Sequence, residues 1–195
     1  MIHHKVDQNT EEWFALKLGK FSASWFKDLF AAKNTATYQK AIYKIVYERL
    51  TNEVPESFSN HWTERGHEFE PLAAEEYERQ TFNEVSDGGF FELNEWVGCS
   101  PDRLVGSDGL VEIKCPAYNT MINYLLSQKV PSIYMKQIQG QLYVTGRKWC
   151  DFLAYHPKLK PLIIRVERDE KMIDELDTKL IQCIDEVKTI INKIK

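Results

Sequence analysis

Between Phe82 and Cys115 the chain abandons helical spacing and breaks into short apolar stretches separated by turn residues. Asp87-Gly-Gly89, Leu93-Asn-Glu95 and Gly106-Ser-Asp-Gly109 are rich in the types that tolerate tight or left-handed backbone. Strands are therefore predicted near 82–86, 89–93, 96–99, 103–105 and 110–114. The flanking sequence offers helices to cover them. Ser22 or Ser24 is placed to cap a short helix through Trp25, Phe26, Leu29 and Phe30. From Thr37, the residues Tyr38, Ala41, Ile42, Ile45, Val46 and Leu50 recur at helical spacing. Trp62 to Arg79 is also helix-like, with a kink or restart expected at Gly66 and Pro71, since proline lacks the backbone donor and disfavours helical geometry at Glu70. Helical patterns return at 118–128 and at 131–144, the latter with Pro131 near its start and Gly146 beyond its end. Lys148–Tyr155 and Leu162–Glu167 read as strands. A last helix from about 169 carries Met172, Ile173, Leu176, Leu180, Ile184, Val187, Ile190 and Ile191 as one apolar stripe. This order implies an α/β (α+β) fold, a central mixed β-sheet flanked by helices.

At 195 residues, with no internal repeat or Gly/Ser linker, the chain suits one domain over 1–195. Hydrophobic residues at 43% exclude a disordered chain. No apolar run approaches the roughly 20 residues of a membrane span, and the N-terminus lacks a secretory pattern. A soluble cytoplasmic protein is expected. The cysteines Cys99, Cys115, Cys150 and Cys183 form no CxxC pair, and the five histidines form no HxH or HExxH. Reduced structural thiols and no histidine metal site follow.

The net charge is −4, but its distribution is uneven. Residues 53–95 hold 12 acidic and 2 basic side chains, whereas 96–160 hold 4 acidic and 8 basic. A polyanion would be drawn to one part of such a surface and repelled from another. Ordinary variation among solvated faces accounts for the charges equally well.

Chemistry concentrates in Leu110-Val-Glu-Ile-Lys114. On a strand, residues two apart share a face, so Glu112 and Lys114 stand side by side while Val111, Ile113 and Cys115 face a core. A hairpin at Gly106–Gly109 returns Asp102 to the neighbourhood of Glu112. Two carboxylates beside one amine suit phosphodiester hydrolysis. Magnesium prefers oxygen ligands, which Asp102, Glu112 and the Ile113 carbonyl supply. Lys114 can orient or deprotonate water, or stabilise charge on the phosphate. On spacing alone, a solvated salt-bridged hairpin is the commoner origin of such a pattern.

Ser100-Pro-Asp-Arg-Leu-Val followed by Gly109-Leu-Val-Glu-Ile-Lys-Cys-Pro116 resembles the active-site segment of the phage lambda exonuclease family, the YqaJ-like viral recombinases of the PD-(D/E)xK nuclease superfamily. Three further blocks agree in order. Gly66-His-Glu-Phe-Glu-Pro71 resembles the family's Gly-x-x-x-Glu-Pro helix, and Tyr134-Met-Lys-Gln-Ile-Gln-Gly-Gln-Leu-Tyr143 its glutamine-bearing helix. Trp13-Phe-Ala-Leu-Lys-Leu-Gly19 with Ser22-Ala-Ser24 resembles the segment that meets the DNA end.

The resemblance implies a restriction-endonuclease-like PD-(D/E)xK core, with Asp102 and Glu112 as metal ligands and Lys114 as the water-positioning residue. It implies that Gln137 places Lys114 or the nucleophile, and that Glu70 joins the metal site directly or through water. Ser100 and Tyr134 would line the site, and Lys17 and Ser24 would contact DNA phosphate. The implied activity is magnesium-dependent 5′→3′ digestion of linear double-stranded DNA, with manganese as a substitute ion. The product is a 3′ single strand for an annealing protein in phage-type recombination. Further implications are a homotrimeric ring, a phage or prophage origin and a bacterial cytoplasm. In such a ring the acidic 53–95 region would face outward, with Lys136 and Lys148 among the residues near DNA.

One departure stands out. Lys17 occupies the position of the family's phosphate-gripping arginine and lacks the two-pronged guanidinium geometry. Strand polarity is therefore less constrained than the chemistry. The alternatives are a DNA endonuclease with the same chemistry and a non-catalytic DNA-binding recombination subunit.

Overall fold

The computed structural model describes residues 1–55 and 61–195, and of 61–67 the backbone alone. The elements run β1 (Ile2–His4), α1 (Glu11–Lys17), β2 (Phe21–Ser22), α2 (Phe26–Leu29), α3 (Ala36–Thr51), α4 (His61–Thr81), β3 (Val85–Asp87), β4 (Phe90–Asn94), β5 (Val97–Cys99), β6 (Arg103–Val105), β7 (Gly109–Lys114), α5 (Tyr118–Ser127), α6 (Ser132–Thr145), β8 (Trp149–Ala154), β9 (Leu162–Glu167) and α7 (Glu170–Ile194).

The class is the expected one, a mixed α/β fold, but the strands divide between two sheets. A five-stranded sheet has the order β3-β6-β7-β8-β9, and a four-stranded sheet the order β1-β4-β5-β2. β7 and β8 pair in parallel, and their neighbours pair antiparallel. Parallel strands need a crossover, which α5 and α6 provide. β1 and β2 are three and two residues long, too short to show a period in the sequence. With them the second sheet went unseen.

Strand alternation sends the two faces of β7 to different cores. Val111 and Ile113, with Val105 and Leu153, pack beneath α4 through Ala73, Ala74 and Tyr77. Leu110, Cys150, Phe152 and Ala154 face the larger core built by α2, α3, α6 and α7, where Phe26, Ile138, Leu142, Leu176 and Leu180 are buried. Each such large side chain contributes about 1.5–3 kcal/mol relative to exposure. The apolar stripe of α7 is thus a core face: Ile173, Leu176, Leu180, Cys183 and Val187 are all buried.

Local chemistry explains the helix ends. Thr10, Thr35 and Asp169 accept hydrogen bonds from the third-residue amides of α1, α3 and α7. Gly146 ends α6 with φ of 69°, a left-handed conformation that costs glycine nothing. Pro131 precedes α6 as expected. Two expectations change. Ser22 makes no side-chain cap, and the segment after it is a 3-10 turn, Ala23–Trp25, leading into α2. Helix α4 continues through Gly66 and Pro71 without a restart. Proline there removes one backbone bond, and the burial of Ala73, Ala74 and Tyr77 against the sheet outweighs it.

α6 lies close over α2 because residue 140 is glycine. A Cβ there would sit 2.4 Å from the Phe26 ring. That approach brings the glutamine-bearing face of α6 down onto β7. On the other face, Tyr77 of α4 donates to Asp151 of β8 at 2.7 Å, and Arg165 of β9 donates two hydrogen bonds to the same carboxylate. None of the four cysteines forms a disulfide, and Cys99, Cys150 and Cys183 are buried. Among the described residues no helix is long and apolar enough to cross a membrane.

Candidate active site

The site forms where β6 stops pairing with β7. Their ladder ends at Arg103 opposite Val111. Two residues further along β7, the Ile113 N–H meets a side chain instead of a strand and donates to Oδ2 of Asp102 at 2.6 Å. Along a strand, a residue's N–H and C=O point to the same side. The Ile113 carbonyl is therefore directed into the same gap as Asp102.

Glu112 faces α6 and is 0% exposed. Its Oε1 accepts from the Lys114 ammonium and from Gln137 Nε2 at 2.6 Å. Its Oε2 accepts from Gln141 Nε2 at 2.7 Å. A buried carboxylate is costly without such donors, and this one has three. Tyr134 lies beside them, its ring centroid 5.3 Å from Lys114 Nζ, and it stacks on Phe152.

The charges are strongly coupled. Burial, then the Glu112 charge, pushes Asp102 well above the usual carboxylate range. Burial alone would lower Lys114, but the Glu112 and Asp102 charges outweigh it and raise that amine. Two neighbouring acids against one ammonium leave the cluster short of positive charge. The donors in the gap are hard oxygens: the Asp102 carboxylate, the Ile113 carbonyl and the Glu112 carboxylate. That set fits a divalent ion such as magnesium, which is commonly held by one or two carboxylates together with waters and substrate phosphate.

Glu70 approaches from α4, on the opposite face of the sheet. Its Oε1 accepts from Arg103 Nη1 at 2.7 Å, and the same nitrogen donates to the Asp102 carbonyl at 2.6 Å. Glu70 is thus tied to the Asp102 backbone through Arg103. Among the described residues no three carboxylate, histidine or cysteine side chains converge as a metal cluster. A cleft of about 210 Å³ opens beside this corner, lined by Gln8, Asn9, Glu70, Pro71, Asp102 and Arg103 among others. The side chain of His67, in the same helical motif, lies outside the described residues.

Ser100 is a brace. Its hydroxyl donates to the Gly89 carbonyl at 2.6 Å and accepts from Trp13 Nε1 at 2.9 Å, tying α1 to the residues just before Asp102. Lys17 Nζ lies 3.7 Å from the centroid of that same Trp13 ring. Burial, then the nearby Lys44 charge, lowers Lys17 to about 8, with Glu48 opposing. Ser24 is exposed on the turn before α2. Lys136 covers the Phe30 ring. Lys148 pairs with Asp108 at the opposite end of β7 from Lys114, roughly 16 Å along the strand. The cluster at Asp102 is therefore not within its direct reach.

Three contributors escaped the sequence reading: Gln141, Arg103 and Trp13 as a partner of Ser100. Gln141 follows Gln137 by four residues, so both share one helix face. That spacing was the available signal. The Trp13–Ser100 contact joins residues 87 apart and had none.

A partly buried Asp–Glu–Lys cluster at the broken edge of a strand pair, on a mixed sheet between helices, is the arrangement expected of a nuclease core of the PD-(D/E)xK type. Comparison with known proteins agrees. The model of the YqaJ-like viral recombinase domain matches residues 12–148. The crystal structure of an alkaline exonuclease (LHK-Exo) from Laribacter hongkongensis superposes with a TM-score of 0.88 at 36% identity, covering 95% of this chain and 96% of that one. A structure of LHK-Exo in complex with dAMP superposes at 0.89 with the same identity and coverage. A phage related exonuclease from Haemophilus somnus 129PT shares the fold, with a TM-score of 0.76 at 13% identity over 90% of this chain and 96% of that one. No curated protein matches. The chain belongs to the YqaJ-like viral recombinase family and is a deoxyribonuclease.

Proposed function

We propose that this protein is a magnesium-dependent exonuclease that digests one strand of linear double-stranded DNA in the 5′→3′ direction. The 3′ single-stranded tail left behind would serve recombination by strand annealing. The observation that carries the reading is the pairing of the Asp102 and Glu112 carboxylates beside the Lys114 ammonium, with the Ile113 carbonyl directed into the same gap. The match to an alkaline exonuclease over 95% of the chain supports DNA ends as the substrate. The dAMP in the related complex is a mononucleotide, the product size of end-wise digestion.

A magnesium ion held by Asp102, Glu112 and the Ile113 carbonyl would polarise the scissile phosphate and ease deprotonation of an attacking water. Manganese would serve as a substitute. Lys114 holds a positive charge beside the phosphate and orients the attacking water. Gln137 and Lys114 share Oε1 of Glu112, so the rotamer of one constrains the other. Arg103 holds Glu70 close to Asp102, from where Glu70 can assist through water. Tyr134 walls the site. Trp13, Ser100, Lys17 and Ser24 form the approach for a DNA end, with Lys17 meeting the 5′-phosphate. By family resemblance, residues 1–195 act as one domain that assembles as a trimeric ring. A single-strand annealing protein is the expected partner, in the cytoplasm of a bacterium carrying a phage or prophage.

Linear duplex labelled separately at each end, beside closed circular duplex, tests this with magnesium or EDTA. Release of mononucleotides from 5′ ends is expected only with magnesium, and not from circles or with Glu112→Gln. Cleavage of circles would instead make the protein an endonuclease. Binding without cleavage of either DNA would make it an accessory subunit.

A further inference from the structure

We infer that Gln141 is a positioning residue for the metal centre, holding Glu112 in the orientation that binds the ion. The inference rests on the reading of Glu112 as a ligand for a divalent cation. Gln141 is 1% exposed, and its Nε2 donates to Glu112 Oε2 at 2.7 Å. Lys114 and Gln137 both donate to the other oxygen, Oε1. Each side of the carboxylate is therefore fixed by a different part of the helix–strand pair. Without Gln141, Oε2 would lose its hydrogen bond and the orientation of the carboxylate would rest on the Oε1 donors alone.

A second observation separates this role from ordinary packing. Oε1 of Gln141 is buried and accepts no hydrogen bond from any described residue. Buried polar atoms are almost always paired, and an unpaired one costs stability. An apolar side chain of the same length would fill the space without that cost. Gln141 therefore carries a local penalty on its oxygen side and makes its one specific contact on the nitrogen side, with Glu112. Such a violation of local rules is characteristic of residues retained for function.

The neighbouring Gln139 provides an internal comparison. It is equally buried on the same helix, but its amide donates to the Glu167 carbonyl and its oxygen accepts from the Asp169 N–H. Both ends of Gln139 are satisfied by backbone, away from Glu112. A structural glutamine looks like Gln139, and Gln141 does not.

Calorimetric titration of the DNA-free protein with manganese chloride, alongside thermal unfolding, tests the assignment. Gln141→Met should weaken manganese binding by roughly tenfold to a hundredfold, the usual effect of losing a group that orients a ligand. Its melting temperature should change little, the hydrogen bond lost at Glu112 Oε2 being offset by removal of the unpaired Gln141 oxygen. Gln139→Met should show the reverse, a lower melting temperature and unaltered manganese affinity. Gln141→Asn, which keeps an amide but withdraws it from Glu112, should also weaken binding and guards against misfolding of the first variant. Wild-type affinity in both Gln141 variants, with binding abolished by Glu112→Gln, would overturn the inference and leave the metal site standing. Binding indifferent to Glu112→Gln would overturn both.

Discussion

The Ile113 N–H donates to the Asp102 carboxylate at 2.6 Å, two residues beyond the last β6–β7 pair. A side chain takes over the place of a missing strand, and one hydrogen bond both ends the ladder and orients an acid. The same break leaves the Ile113 carbonyl on that side of the strand, facing the same gap. A β-strand edge is thereby converted into an oxygen-lined corner, with Glu112 and Lys114 reaching it from the face toward α6.

Asp102→Asn should abolish cleavage yet stabilise the metal-free protein. Burial and the Glu112 charge raise the folded-state pKa of Asp102 above its unfolded value. For a raised acid, stability is fully present below the unfolded pKa and is lost as pH rises through the folded one. Above the unfolded pKa, keeping this carboxyl in place therefore carries a cost that asparagine removes while its oxygen still accepts from Ile113. A gain of about 1–2 kcal/mol, or roughly 2–8 °C in Tm, is expected in EDTA. A lower Tm would show that the carboxylate contributes more than the asparagine retains.

Lys114→Met should lower kcat by roughly 10²–10⁴, the range for a group that aligns or activates water. The apparent Kd for DNA should move far less, because one of many cationic contacts is lost. Single-turnover digestion and DNA binding in calcium separate the two. A large loss of binding with normal turnover of bound DNA would make Lys114 a simple phosphate anchor.

Lys17 should make recognition of phosphorylated ends pH-dependent. Its pKa is lowered to about 8 by burial and by Lys44, so it is mostly charged at pH 7 and mostly neutral at pH 9. If it meets the 5′-phosphate, the preference for phosphorylated over hydroxyl ends should fall about tenfold across that interval, following its charged fraction. Lys17→Arg should keep the preference, since a guanidinium stays protonated throughout. A flat profile in the wild type would remove Lys17 from the phosphate contact.

Gly140→Ala should disturb the site through packing alone. The added methyl would meet the Phe26 ring at 2.4 Å, so α6 must shift away from α2. Overpacking of this kind costs about 1–3 kcal/mol. Displacement of α6 moves Gln137 and Gln141 away from Glu112, so kcat should fall together with the unfolding free energy in urea. A stability loss with unchanged kcat would show that α6 and β7 move as a unit.

Much of the fold was legible in the chain itself. The central strands, α3, α5, α6 and α7 announced themselves because each is long enough, or bounded sharply enough by glycine and proline, for its period to show. The second sheet did not, because β1 and β2 are too short for a pattern and exist only by pairing with β4 and β5. The continuation of α4 was decided by burial: Ala73, Ala74 and Tyr77 pack firmly enough to carry the helix through Pro71.

The site divides along the same line. Asp102, Glu112 and Lys114 could be grouped from sequence because one hairpin and one strand hold all three, and local geometry decides which of their side chains meet. Gln137 was legible through family resemblance. The Arg103–Glu70 link, the third donor on Glu112 and the Trp13–Ser100 tie were decided only by tertiary structure. They join elements far apart in the chain, and which side chain reaches which depends on how closely α4 and α6 pack on the sheet. Periodicity encodes the faces that are buried, but the distance between two buried faces is set by side-chain volumes such as Phe26 against Gly140, and these act only once the chain has folded.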